Sequence, residues 1–295
     1  MEQDPAIRGG ARRGRIVLAL AAAVAVGLVP ARARAQATPA GELVLIGANA
    51  LLGGLTSGVA AWLKGGSFLD GLGGGAAGGS VQYLGKRLST SSLPGAGLAG
   101  GVVGAAGASM VRNGAAGRGL LDRLIVPIGP IVVDWVTVPD SGGVSARLHV
   151  GRAIFLGRLI VNDELELDGG ETISAGSPVF QARGRVIEGE AGRGVGGLEL
   201  WGAVALSDRG LLPPIDGGAL LAHERVHLVQ DAFLNIAWAD PVEDWLLRRI
   251  PYGDVVTRYV DFGGIYMVIA GLLIVALPYE DRPWEDEAAY METGW

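Results

Sequence analysis

The chain has 295 residues, 49% of them apolar and only 18% charged, below the roughly 25% charged of an average soluble domain. Its net charge of −6 excludes the basic footprint that a nucleic-acid interface needs, and the lack of cysteine excludes disulfides, thiolate metal ligands and thiol nucleophiles. A positive mean hydropathy and 50 glycines point to membrane contact or to an unusually buried helical part.

Residues 1–37 read as a targeting segment. Arg8, Arg12, Arg13 and Arg15 form a positive n-region, Ile16 to Pro30 an apolar h-region, and Ala35-Gln36-Ala37 a small-x-small cleavage site. An uncleaved signal anchor is the competing reading. Both place the bulk of the protein outside the cytoplasm, in the periplasm or cell envelope. Residues 38–120 follow as a region of glycine and alanine. Leu43 to Leu63 carries no charge, long enough to span a bilayer. Small residues recur at four-residue spacing in Gly54/Gly58, Gly75/Gly79, Gly97/Gly101 and Gly100/Gly104, the pattern by which helices approach closely. The expectation is two or three tightly packed helices, inserted in a membrane or laid against the rest of the protein.

From Leu121 the composition changes, and 121–210 is expected to be a small, mostly antiparallel sheet. Leu124 to Val133 is β-branched and interrupted by proline, as suits an edge strand. Leu148–Val150, Leu159–Val161, Glu164–Leu167, Thr172-Ile173 and Val179-Phe180 are further short strand candidates, with Asp168-Gly169-Gly170 as a hairpin turn. Leu198 to Leu206 is the longest strand candidate. The acidic residues Asp163, Glu164, Glu166 and Asp168 lack calcium-loop spacing and read as a solvated face. Residues 211–295 are expected to be helical. Pro213-Pro214 ends the sheet, Asp216 caps a helix over Ala219–Trp238, Pro241 starts a second helix, and a third runs into the uncharged stretch Phe262–Tyr279.

The chemistry sits in His223-Glu224-Arg225-Val226-His227, which holds two of the chain's three histidines. On a helix, positions i and i+4 share one face, so both imidazoles can reach one metal ion. Glu224, beside the first ligand, is placed to take a proton from a metal-activated water and pass it to a leaving amine. Arg225 is expected to point to solvent, and Asp231 either to receive the free ring N–H of His227 or to be a solvated helix residue. A catalytic zinc needs a third protein ligand and one open position. Glu285 is the first candidate, with Glu287 and His149 as alternatives. Tyr290, five residues after Glu285, is a candidate donor to a tetrahedral oxyanion.

With Glu285-Asp286-Glu287-Ala288 following H-E-x-x-H, the sequence resembles the gluzincin metallopeptidases, in which a glutamate on a later helix is the third ligand. The 58-residue gap from His227 to Glu285 is similar to that of HtpX-like and CAAX-prenyl-protease-like membrane metallopeptidases. His223-Glu224-x-x-His227-x-x-Gln230 also resembles peptidase domains associated with bacterial contractile injection systems. The resemblance covers residues 216–292. It implies Zn2+ held by His223, His227 and Glu285, with a peptide or protein as substrate gripped by an edge strand near the motif helix, here Leu198–Leu206. Ala289 stands where gluzincins usually carry the aspartate that supports a ligand histidine, so that support must come from elsewhere. The expected fold is α+β: glycine-rich packed helices, a small sheet, then a helical metal-site region. A non-catalytic envelope protein with a structural metal is the competing reading.

Overall fold

The computed structural model describes residues 38–138, 142–161, 165–182, 187–188, 194–195, 197–200, 202–207, 217–277, 279 and 282–292. Residues 1–37, read above as a targeting segment, and Pro213-Pro214, Asp216, Asp163 and Glu164 lie outside these. The fold is α+β. It opens with three helices, α1 (Pro39–Leu63), α2 (Phe68–Ser89) and α3 (Ala96–Ala115). Thr38 caps α1 through its side-chain oxygen and Ser67 caps α2 likewise, each satisfying a backbone donor that the first turn leaves open. The glycines then let the backbones close in. A Cβ on Gly79 would run into the Asn49 carbonyl of α1, and one on Gly75 into the Gly53 carbonyl. Gly101, by contrast, faces open space, so the Gly97/Gly101 spacing is not a packing pair.

Residues 121–210 differ from a single antiparallel sheet. One four-stranded sheet has the order β1 (Arg123–Ile128), β2 (Ile131–Val136), β3 (Gly143–His149), β10 (Val260–Asp261), and its last pair is parallel. Pro127 falls on the edge strand β1, where its missing N–H costs no ladder bond. The second sheet has the order β4 (Glu166–Leu167), β5 (Val179–Ala182), β9 (Ala203–Ser207), β8 (Gly197–Leu200). In it β5 and β9 run parallel. β6 (Ile187–Glu188) and β7 (Gly194–Val195) form a separate pair.

Two of the strand expectations are overturned. Leu159 and Ile160 end a helix, α4 (Val150–Ile160), whose Phe155 and Leu156 lie one turn after Arg152 and pack on Phe180, Ala203 and Ala205. Thr172-Ile173 lies in the helix α5 (Gly169–Ala175). Asp168 does not make a hairpin turn there; its carboxylate accepts the Glu171 N–H at 3.0 Å and caps α5. Short apolar runs of this kind fit either period, and the cap and the packing decide. Leu198–Leu206 is likewise a hairpin rather than one strand, turned at Gly202 with φ 76°.

The motif helix α6 (Gly217–Phe233) passes directly into a π-helical segment, Leu234–Ala239, and then α7 (Asp240–Leu247), with Pro241 in its first turn. The third helix is not continuous. It breaks into α8 (Gly253–Tyr259), β10 and α9 (Gly264–Ala276), and the chain ends in α10 (Pro283–Glu292). Gly263 makes the break: its φ is 67°, and a side chain there would strike the His149 ring. Thirteen residues of α9 extend about 20 Å, less than the roughly 30 Å of a hydrocarbon core. Buried ion pairs tie the regions together: Arg112 of α3 and Arg147 of β3 both reach Asp240, each at 3.1 Å.

Candidate metal centre

His223 and His227 lie on the same face of α6, and α10 packs across that face. Glu285, in the first turn of α10, places Oε2 3.3 Å from His223 Nε2 and 3.2 Å from His227 Nε2. The two Nε2 atoms are 3.0 Å apart. Three ligand atoms thus form a nearly equilateral triangle. A tetrahedral ion with bonds of 2.0–2.2 Å needs ligand separations of about 3.3–3.6 Å. Closing that difference takes shifts of a few tenths of an ångström.

The hydrogen bonds behind the histidines decide what the triangle presents. His223 Nδ1 lies 2.8 Å from Glu292 Oε2, and a carboxylate only accepts. His227 Nδ1 lies 2.7 Å from Gln230 Oε1. Gln230 is pinned, because its Nε2 donates to Glu287 Oε2 at 2.8 Å and to the Trp284 carbonyl at 3.2 Å. Its oxygen must therefore face His227. Both Nδ1 atoms are consumed as donors, so in the neutral rings both Nε2 lone pairs point at the Glu285 carboxylate. Three acceptors facing one another need a cation or protons between them.

The electrostatics agree. Burial opposes charge on His223, but the hydrogen bonds to Glu285 and Glu292 outweigh it and raise the imidazole to about 10. Burial opposes charge on His227 as well, and Glu285 again turns the balance upward. For Glu285, burial pushes upward, and the two histidines hold it well below the usual carboxylate range. Protons occupying the gap are what a divalent ion would displace.

Glu224 lies on the same helix, buried, and accepts a hydrogen bond from the Glu199 backbone N–H of β8. Burial raises its pKa, while the neighbouring His227 and His223 pull against that rise. β8 ends the described sheet order and lies alongside α6. Tyr279, half-exposed, has its pKa raised by partial burial first and then by the charge of the nearby Glu285 carboxylate.

The other expected residues lie elsewhere. Glu287 is turned from the triangle and binds Lys86 at 2.6 Å, Asn49 at 2.7 Å and Gln230 at 2.8 Å. His149 sits in the first sheet, its Nδ1 accepting the Arg152 backbone N–H at 3.1 Å. Tyr290 packs with Leu45 and Tyr83, and its hydroxyl donates to the Thr38 carbonyl at 3.3 Å. Five residues along the helix turn its side chain well away from Glu285. Asp231 does not receive the His227 ring N–H; it pairs with Arg152 at 2.6 Å, and Gln230 takes that place. Arg225 is buried rather than solvated, and donates to Ser174 Oγ at 2.8 Å.

Glu292 is the residue that sequence reading missed. It stands seven positions after Glu285, two turns along the same helix face, and supplies the support that Ala289 cannot. That i+7 spacing was the available signal. No protein-family model matches this chain, and no curated protein or solved structure matches it either.

Proposed function

We propose that the protein is an exported zinc metallopeptidase that hydrolyses peptide bonds. The observation that carries this reading is the convergence of Glu285 Oε2 on both Nε2 atoms at 3.2–3.3 Å. His223, His227 and Glu285 would hold Zn2+ with a net site charge of +1, and zinc bound there supplies Lewis-acid polarisation and acidifies water. Among the described residues this is the group of at least three potential ligands close enough to share an ion. That leaves the fourth position for water or substrate, which favours a catalytic over a structural site.

The chain's own residues then divide the work. Glu224 takes the proton of the attacking water and returns it to the leaving amine. Its carboxylate, with a pKa raised by burial, is suited to both halves of that transfer. Tyr279, near the Glu285 carboxylate, would donate to the carbonyl oxygen as it gains charge. β8 offers backbone groups on which an extended peptide can pair, the β-augmentation mode, and its Glu199 N–H fixes Glu224 beside that edge. Residues 1–37, with arginines ahead of an apolar run, support export to the periplasm or envelope.

The test joins metal analysis with turnover. Purified protein is expected to contain about one zinc per chain and to cleave an unstructured protein such as casein until a chelator is added. Glu224→Gln should keep the zinc and lose at least a hundredfold in rate. Equal rates for Glu224→Gln and wild type would refute the assignment of the base.

A further inference from the structure

Helix α1 turns an uncharged, apolar face outward. Its buried face is mostly small or polar, with Gly41, Asn49, Gly53, Gly54, Ser57 and Gly58 beside Leu45, while Ile46 and Leu52 are half-buried against the core. Its outward face carries Leu43, Val44, Leu51 and Trp62, between 47% and 71% exposed. A surface helix of a water-soluble protein carries charged and polar residues on that outward face. Here no charged residue occurs between Glu42 and Lys64. Glu42 does not reach the solvent face either; it pairs inward with Arg87 and Tyr83 of α2.

We infer that lipid acyl chains cover the outer face of α1. Three further observations favour lipid over a protein partner. The 25 residues of α1 extend about 37 Å, enough to cross the roughly 30 Å hydrocarbon core with its ends in the headgroup layers. The apolar face stops at Trp62 and Lys64, an aromatic and a cation of the kind that mark membrane interfaces. The packing beneath the face is also that of membrane helices. Backbones meet through glycine, and the interior polar group Asn49 is satisfied within the protein by Lys86 Nζ at 2.8 Å and Glu287 Oε1 at 2.7 Å. α3 makes the main contacts with α6 and β1, which leaves the outer face of α1 clear of both.

The absence of cysteine allows a clean test on the full chain. Single cysteines replace Leu51, on the outer face, and Ile173, exposed on α5, and each carries an environment-sensitive fluorophore. With vesicles of phosphatidylethanolamine and phosphatidylglycerol, the label at 51 should shift to the blue. It should lose most of its quenching by aqueous iodide and be quenched by brominated acyl chains, while the label at 173 stays in water. In a separate flotation experiment, Leu51→Glu should weaken vesicle partitioning by roughly two orders of magnitude, the cost of a charge at mid-membrane, and should leave zinc content unchanged. A label at 51 that remains open to iodide on vesicles would overturn the proposal, even if residues 1–37 carried the protein to the lipid. So would a label shielded without lipid in a species of doubled mass, which would assign the face to a second copy. Loss of zinc from Leu51→Glu with unchanged flotation would count against it equally.

Discussion

Gln230→Leu tests whether the bonds behind the histidines, and not the three ligands alone, make the metal site. The wild-type amide holds the His227 Nδ1–H at 2.7 Å while its Nε2 is fixed by Glu287 at 2.8 Å and by the Trp284 carbonyl at 3.2 Å. Leucine fills a similar volume and keeps none of the three bonds. His227 is then free to rotate or to carry its proton on Nε2, the atom that faces Glu285. Loss of such a supporting partner costs 10- to 100-fold in metal affinity, about 1.4–2.7 kcal/mol. Glu287 keeps Lys86 and Asn49 as donors, so the fold should lose only about 1–3 kcal/mol. Zinc affinity would be measured by competition with a chromophoric chelator, and urea denaturation of the metal-free protein would report the stability cost separately. Binding within twofold of wild type, in a variant shown to be folded, would refute the claim that Gln230 sets the tautomer.

Glu285→Ala should abolish zinc binding, whereas Glu287→Ala should weaken it by no more than about 100-fold, as competition titration of both variants would show. Zinc affinity should rise with pH, because the His223 proton, held up to about 10 in the metal-free site, must leave before the metal enters; a flat profile between pH 6 and 8 would contradict this. His149 is buried and its imidazole is lowered to about 4 by burial first and Arg152 second. The unfolded state therefore takes up a proton that the native state refuses between about pH 6.5 and 4, so stability should fall as pH drops through that window, by about 3 kcal/mol in all. His149→Gln should remove that share of the slope in urea titrations. Gly79→Ala gains about 1 kcal/mol of helix propensity but drives a methyl into the Asn49 carbonyl, costing about 1–3 kcal/mol; the expected net result is a lower melting temperature.

The two imidazoles were legible because a helix fixes i and i+4 on one face whatever surrounds it. The close packing of the glycine-rich helices was legible for a related reason: only glycine lets two backbones meet, and the four-residue spacing records where. Edge strand β1 was visible in Pro127, whose ring excludes a central place. These are local rules, and they survive without knowledge of the fold. Other features depended on partners far along the chain. The resemblance ranked Glu285 ahead of Glu287, but helix periodicity alone does not choose between them; α10 is rotated so that one faces the histidines and the other meets Lys86, more than 200 residues earlier. Tyr290 turned inward to Thr38 for the same reason, since the direction of a side chain depends on how its helix docks. Asp231 was claimed by Arg152 from α4, a helix that the short apolar run Leu159–Val161 had disguised as a strand. The break at Gly263 follows from two residues of β10 pairing beside β3 and from the His149 ring above the glycine. Spacing along the chain specified which groups share a helix face; only tertiary packing specified what that face meets.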